Sequence, residues 1–104
     1  MGKYVLAYRG GGMAETPAEQ EAAMTKWMNW FGELGQAVVD GGAPFGPTKK
    51  VASDGAVRDG NDAGLTGYSI IEATSIDAAA TMAKGCPVLS SGGTIDVYEA
   101  MPMG

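Results

Sequence analysis

The chain has 104 residues, 45% of them hydrophobic and 18% charged, with seven Lys plus Arg against twelve Asp plus Glu and a net charge of −5. That length fits one domain, residues 1–104, burying about two-thirds of its unfolded surface. The composition excludes disorder and a membrane helix, since no apolar run approaches the roughly 18 residues a span requires.

Lys3 to Arg9 alternates as a strand, with Tyr4, Leu6 and Tyr8 on one face and Val5 and Ala7 on the other, so both faces are apolar. Gly10, Gly11 and Gly12 end it. Thr16-Pro17-Ala18-Glu19 then reads as a capping box with proline at the first helical position. In the helix that follows, Ala23, Met24, Trp27, Phe31 and Leu34 share one sector at about 100° per residue, with Trp30 at its margin. The helix is expected to end near residue 36, and Val38-Val39 to enter a second strand.

Asp54-Gly55, flanked by Lys50 to Ser53 and Ala56 to Arg58, predicts a hairpin with a two-residue turn, which Pro44 and Pro47 push toward a sheet edge or a bulge. Thr66 to Ala73 is another strand with apolar residues on both sides. Ser75 caps a helix over Ile76 to Lys84, stopped by Gly85 and Pro87. Thr94 to Met101 closes the chain as a strand, with Ile95, Val97 and Met101 on one face and Tyr98 and Ala100 on the other. This order predicts an α+β, ferredoxin-like subunit, an antiparallel sheet with two helices on one face. The second apolar face would then stand in water. A patch of some hundreds of Å² at about 25 cal/mol per Å² favours association, so a homodimer joined sheet to sheet is expected.

The scattered basic residues and the acidic balance argue against nucleic acid as a partner. The opening apolar stretch is too short for a secretory signal, and one Cys forms no internal disulfide, so the expected compartment is the cytoplasm.

Gly85-Cys86-Pro87-Val88-Leu89 followed by Gly92-Gly93-Thr94-Ile95-Asp96-Val97 resembles the YCII-related family, also called the DGPF family. Lys3-Tyr4-Val5-Leu6, Trp27 to Phe31, Val39-Asp40-Gly41-Gly42 and Gly67 to Ala73 match as well, so the resemblance spans nearly the whole chain. It implies a dimeric α+β barrel of ferredoxin-like subunits. For some members it also implies a His in the first helix with a partner Asp. The stretch Thr25 to Trp27 holds no His, nor does any other part of the chain, and Asp59-Gly60-Asn61-Asp62 stands where Asp-Gly-Pro-Phe would. That acid-base pair is therefore not carried over, and no catalytic residue is identified.

The glycines after the first strand do not make a dinucleotide fingerprint, because Glu15 occupies its sixth position. Asp54, Asp59 and Asp62 lack calcium-loop spacing and read as a solvated turn, so no metal is expected. Cys86 has no His to lower its pKa and reads as a packed thiol. Ser69, Ser90 and Ser91 likewise lack a base. Arg9 could clamp a carboxylate or phosphate, or sit in a surface ion pair. Asp40 could act as a general base or cap the turn before Gly41-Gly42. Tyr4, Tyr8, Tyr68 and Tyr98 either fill a dimer core or offer hydroxyls.

Arg9, Asp40, Tyr8 and Tyr68 are thus the ligand-binding candidates, with no cofactor expected. Two functions fit them. One is a small enzyme acting on an aromatic or anionic metabolite in a pocket between the sheet and the first helix, where Arg9 or Asp40 meets a Tyr hydroxyl. The other is a noncatalytic ligand-binding or structural dimer module with a filled interior and its polar groups outside.

Overall fold

The computed structural model describes residues 1–11, 15–60 and 64–102. Strand β1 (Gly2–Arg9) leads to helix α1 (Pro17–Leu34), where Thr16 Oγ1 accepts from the Glu19 amide at 3.1 Å. The reciprocal arm of the cap falls one residue early, since Glu19 Oε2 accepts from the Glu15 amide at 2.9 Å. A 3₁₀ turn then feeds β2 (Val38–Pro44). Next come β3 (Lys49–Val51), β4 (Val57–Asp59), β5 (Leu65–Ala73), helix α2 (Ile76–Ala83), a second 3₁₀ turn over Pro87–Ser91, and β6 (Thr94–Ala100).

Four strands form one antiparallel sheet in the order β2-β5-β1-β6, and among the described residues β3 and β4 pair only with each other. With α1 and α2 on one face, this is the ferredoxin-like α+β arrangement, extended by a hairpin between its second and third main strands. Tyr4, Leu6, Tyr8, Ile71 and Ala73 point from the sheet into one core with Trp30, Ala79, Ala83, Cys86 and Val88. Leu6 and Ile71 have no exposed surface, and each fully buried aliphatic side chain contributes about 1.5–3 kcal/mol.

No described helix covers the opposite face. Cross-strand pairing lays out Ile70, Val5 and Tyr98 as one row, with Tyr68, Ala7 and Asp96 as the next and Glu72, Lys3 and Ala100 on the other side. Tyr98 is 53% exposed there, while Val5, Tyr68 and Ile70 are half-buried.

Three local expectations change. The stripe of α1 centres on Trp27, Trp30 and Leu34, so Trp30 is 3% exposed, and Met24, about 87° off that axis, is 65% exposed. The hairpin loop has three residues rather than two. The Gly55 amide bonds the Ala52 carbonyl at 2.9 Å, and Gly55 at φ 91° supplies the bulge that the preceding Ser53-Asp54 turn requires. β6 ends at Ala100, leaving Met101 beyond the sheet and 71% exposed.

Candidate functional site

Strand alternation separates the four predicted ligand residues. Tyr8 faces the helices and is 5% exposed, whereas Arg9, Asp40 and Tyr68 stand on the open face. On β2, Asp40 lies in an irregular stretch: it pairs with Ile70, but the next paired residue is Ala43, opposite Tyr68. The one extra residue within Gly41-Gly42 turns the Asp40 carboxylate back on its own strand, where Oδ1 accepts from the Gly42 amide at 2.8 Å. Its other oxygen, Oδ2, accepts from the Tyr68 hydroxyl at 3.1 Å. That bond is the main reason why the Tyr68 pKa lies above the usual value.

Phe45, just past β2, stacks on Tyr68 with ring centroids 5.8 Å apart and planes 23° from parallel. A carboxylate, a phenol and a half-exposed phenyl ring thus meet at the β2–β5 edge.

Arg9 lies at the far end of β1 and gives its Nε proton to Asp96 Oδ2 at 2.6 Å, beside Tyr98. The surface ion pair is the arrangement the structure shows. Asp40 does meet a tyrosine hydroxyl, but on the side of the sheet away from α1. The space between sheet and α1 is filled instead. Trp27 lies edge-on to Tyr8 at 5.3 Å and to Trp30 at 5.8 Å, and Phe31 closes the cluster.

Within that filled side runs a polar thread that sequence reasoning missed. The Tyr8 hydroxyl donates to Ser69 Oγ at 2.7 Å, and Ser69 Oγ donates to the Gly41 carbonyl at 2.8 Å. Burial pushes the Tyr8 phenol pKa well above its ordinary value. The available signal was Ser69 at an inward position of an otherwise apolar strand. Tyr8→Phe leaves Ser69 without its donor in a dry site and is expected to cost about 1 kcal/mol. Urea unfolding measures this, and an unchanged midpoint would show that the thread adds nothing.

Cys86 follows α2 and is 3% exposed, its thiol pushed upward by burial, as a packed thiol should be. Beside it, an open groove of about 630 Å³ runs between α1 and the end of α2, with Lys26, Asn29 and Glu33 facing Lys84 and Ser90. None of the four predicted residues lines it. In the hairpin loop, Asp54 Oδ1 accepts from the Ala56 amide, and Asp59 pairs with Lys49, while Asp62 lies outside the described residues, as do Asn61 and Gly12. Among the described residues no cluster of three or more His, Cys, Asp or Glu is arranged to hold a metal ion. Nor is any described helix long and apolar enough to cross a membrane.

The family model described as the YCII-related domain matches residues 1–104 of this chain. No curated protein and no solved structure gives a match.

Proposed function

Because the chain belongs to the YCII-related family, matched over its whole length, we propose that it is a homodimeric binding module rather than a catalyst. Two copies join through their open sheet faces and receive a small molecule at the Asp40–Tyr68–Phe45 edge. The observation that carries this reading is the uncovered row Ile70–Val5–Tyr98, rimmed by Lys3 and Glu72 on one side and by Arg9 and Asp96 on the other. An apolar centre with a charged rim is the anatomy of a protein interface.

The ligand suited to that edge is a flat ring with a hydrogen-bond donor. The ring extends the Phe45–Tyr68 stack, and the donor reaches the Asp40 carboxylate. An anionic metabolite is less well matched, because Arg9 already holds the Asp96 carboxylate. Binding is favoured over proton transfer for two reasons. The chain has no His, and Asp40 is engaged by both Gly42 and Tyr68. Its single cysteine, buried and without a disulfide, suits the reducing cytoplasm in which we place the protein.

Sedimentation equilibrium at micromolar concentration tests the assembly. The expected mass is that of two chains, falling to one in Ile70→Asp, which sets a charge at the centre of the face. A wild-type monomer overturns the reading. A thermal-shift panel of aromatic amines and phenols tests the ligand. A ligand at 100 times its Kd adds about 2.7 kcal/mol of apparent stability, and Asp40→Asn should abolish the shift. Silence across the panel removes the ligand from the proposal.

A further inference from the structure

Two consecutive residues of β5 grip the β2 bulge from opposite faces of the sheet. Ser69 has no exposed surface and donates from the helix side to the Gly41 carbonyl at 2.8 Å. Tyr68, on the open face, donates to Asp40 Oδ2 at 3.1 Å. Between them the Gly42 amide donates to Asp40 Oδ1 at 2.8 Å.

The Gly41 carbonyl and the Gly42 amide belong to one peptide unit. In a trans peptide the C=O and N–H point in opposite directions, and the described residues contain no cis bond. A carbonyl drawn toward Ser69 therefore aims the N–H at the open face, where Asp40 stands. Local backbone preference does not set that orientation, because a peptide between two glycines turns about its Cα–Cα axis with little penalty. Its hydrogen bonds must set it. The order of donors is fixed as well. The Gly41 carbonyl can only accept, so Ser69 gives its one proton there, and the Tyr8 hydroxyl, 2.7 Å away, donates to Ser69.

We propose that Ser69 is the positioning residue of the Asp40–Tyr68 edge: through the Gly41–Gly42 peptide it holds the carboxylate in place from the other side of the sheet. This rests on the ligand site proposed above, where a fixed Asp40 carboxylate is what a ring-borne donor meets. It also gives the one hydroxyl on the inward face of β5 a purpose outside the core.

Ser69→Ala tests the proposal, read first without any ligand. Exchange of the Gly42 amide should quicken about fivefold or more, as expected when one neutral hydrogen bond is lost. The pKa of the Tyr68 phenol, followed by NMR titration of its ring carbons, should fall toward the ordinary tyrosine value. Tyr8→Phe keeps the Ser69–Gly41 bond and should leave both readings as in the wild type, although it too disturbs the core. A structural role alone would move the two variants alike. The double variant Tyr8→Phe, Ser69→Ala removes the phenol that Ser69→Ala leaves without an acceptor, which protects the fold, and should repeat the Ser69→Ala readings. Unchanged Gly42 exchange and Tyr68 titration in both alanine variants overturn the proposal. An aromatic amine or phenol that shifts the wild type should bind Ser69→Ala about tenfold more weakly. Equal affinity overturns the positioning role, whereas a wild type that responds to no compound overturns the ligand reading alone.

Discussion

Replacing Gly42 with alanine is expected to strip β2 from the sheet edge, at a cost of about 4 kcal/mol or more, the far end of what single substitutions do. The residue sits at φ +77°, and a Cβ built there would lie 1.7 Å from the Tyr68 carbonyl oxygen and 2.6 Å from its carbon. Both are backbone atoms of β5, so no side chain can swing aside. The left-handed conformation alone costs an alanine roughly 1–2 kcal/mol. Gly92 isolates that contribution, because it has φ +85° and a Cβ added to it would meet nothing within 4 Å. Gly92→Ala should therefore lose about 1–2 kcal/mol, and the excess in Gly42→Ala measures the overlap. Urea unfolding of the two variants makes the comparison, and equal losses would show that the β2 bulge yields freely.

The consequence reaches the candidate site. Moving β2 outward separates Ser69 from the Gly41 carbonyl and Tyr68 from Asp40, since both bonds span the β2–β5 junction. If a ligand binds at that edge, Gly42→Ala should remove its thermal shift even where the protein remains folded.

The bulge also explains which parts of the molecule can be read from sequence. Strands β1, β5 and β6 and both helices are legible because each carries its own periodicity and its own stop signals, such as Thr16 and Ser75 as caps and Gly85 with Pro87 as a terminator. The apolar residues on both faces of β1 and β5 show that one sheet face lacks a cover. What cannot be read depends on register. Asp40 reaches Tyr68 because two extra residues shift β2 against β5, and no local pattern announces that shift. The side of the sheet is lost for the same reason. Alternation puts Arg9 opposite to Tyr8, whereas a pocket under α1 would have to gather both. Trp30 falls at the margin when the stripe is centred on the most apolar positions, but the bulk of two indoles and a bond to α2 set the rotation of the helix.

That bond makes Trp30→Ala the second large loss, expected at about 3 kcal/mol. The indole Nε1 donates to the Met82 carbonyl at 3.1 Å, the side chain is 3% exposed, and Gly85 packs so closely that a Cβ there would come within 3.0 Å of the ring. Trp→Ala in a sealed core costs about 3–5 kcal/mol. Here Trp30 also borders the open groove between α1 and the end of α2. Water can enter the space it leaves and bond the Met82 carbonyl, which holds the loss to the lower end of that range. Trp30→Phe keeps most of the packing and should cost about 1 kcal/mol, chiefly for the missing donor. For a domain of this size, about 3 kcal/mol lowers Tm by roughly 15 °C, readable by circular dichroism. A drop in Trp30→Phe as large as that in Trp30→Ala would assign the effect to the hydrogen bond rather than to packing. Helix α1 would then be held to α2 by one polar contact.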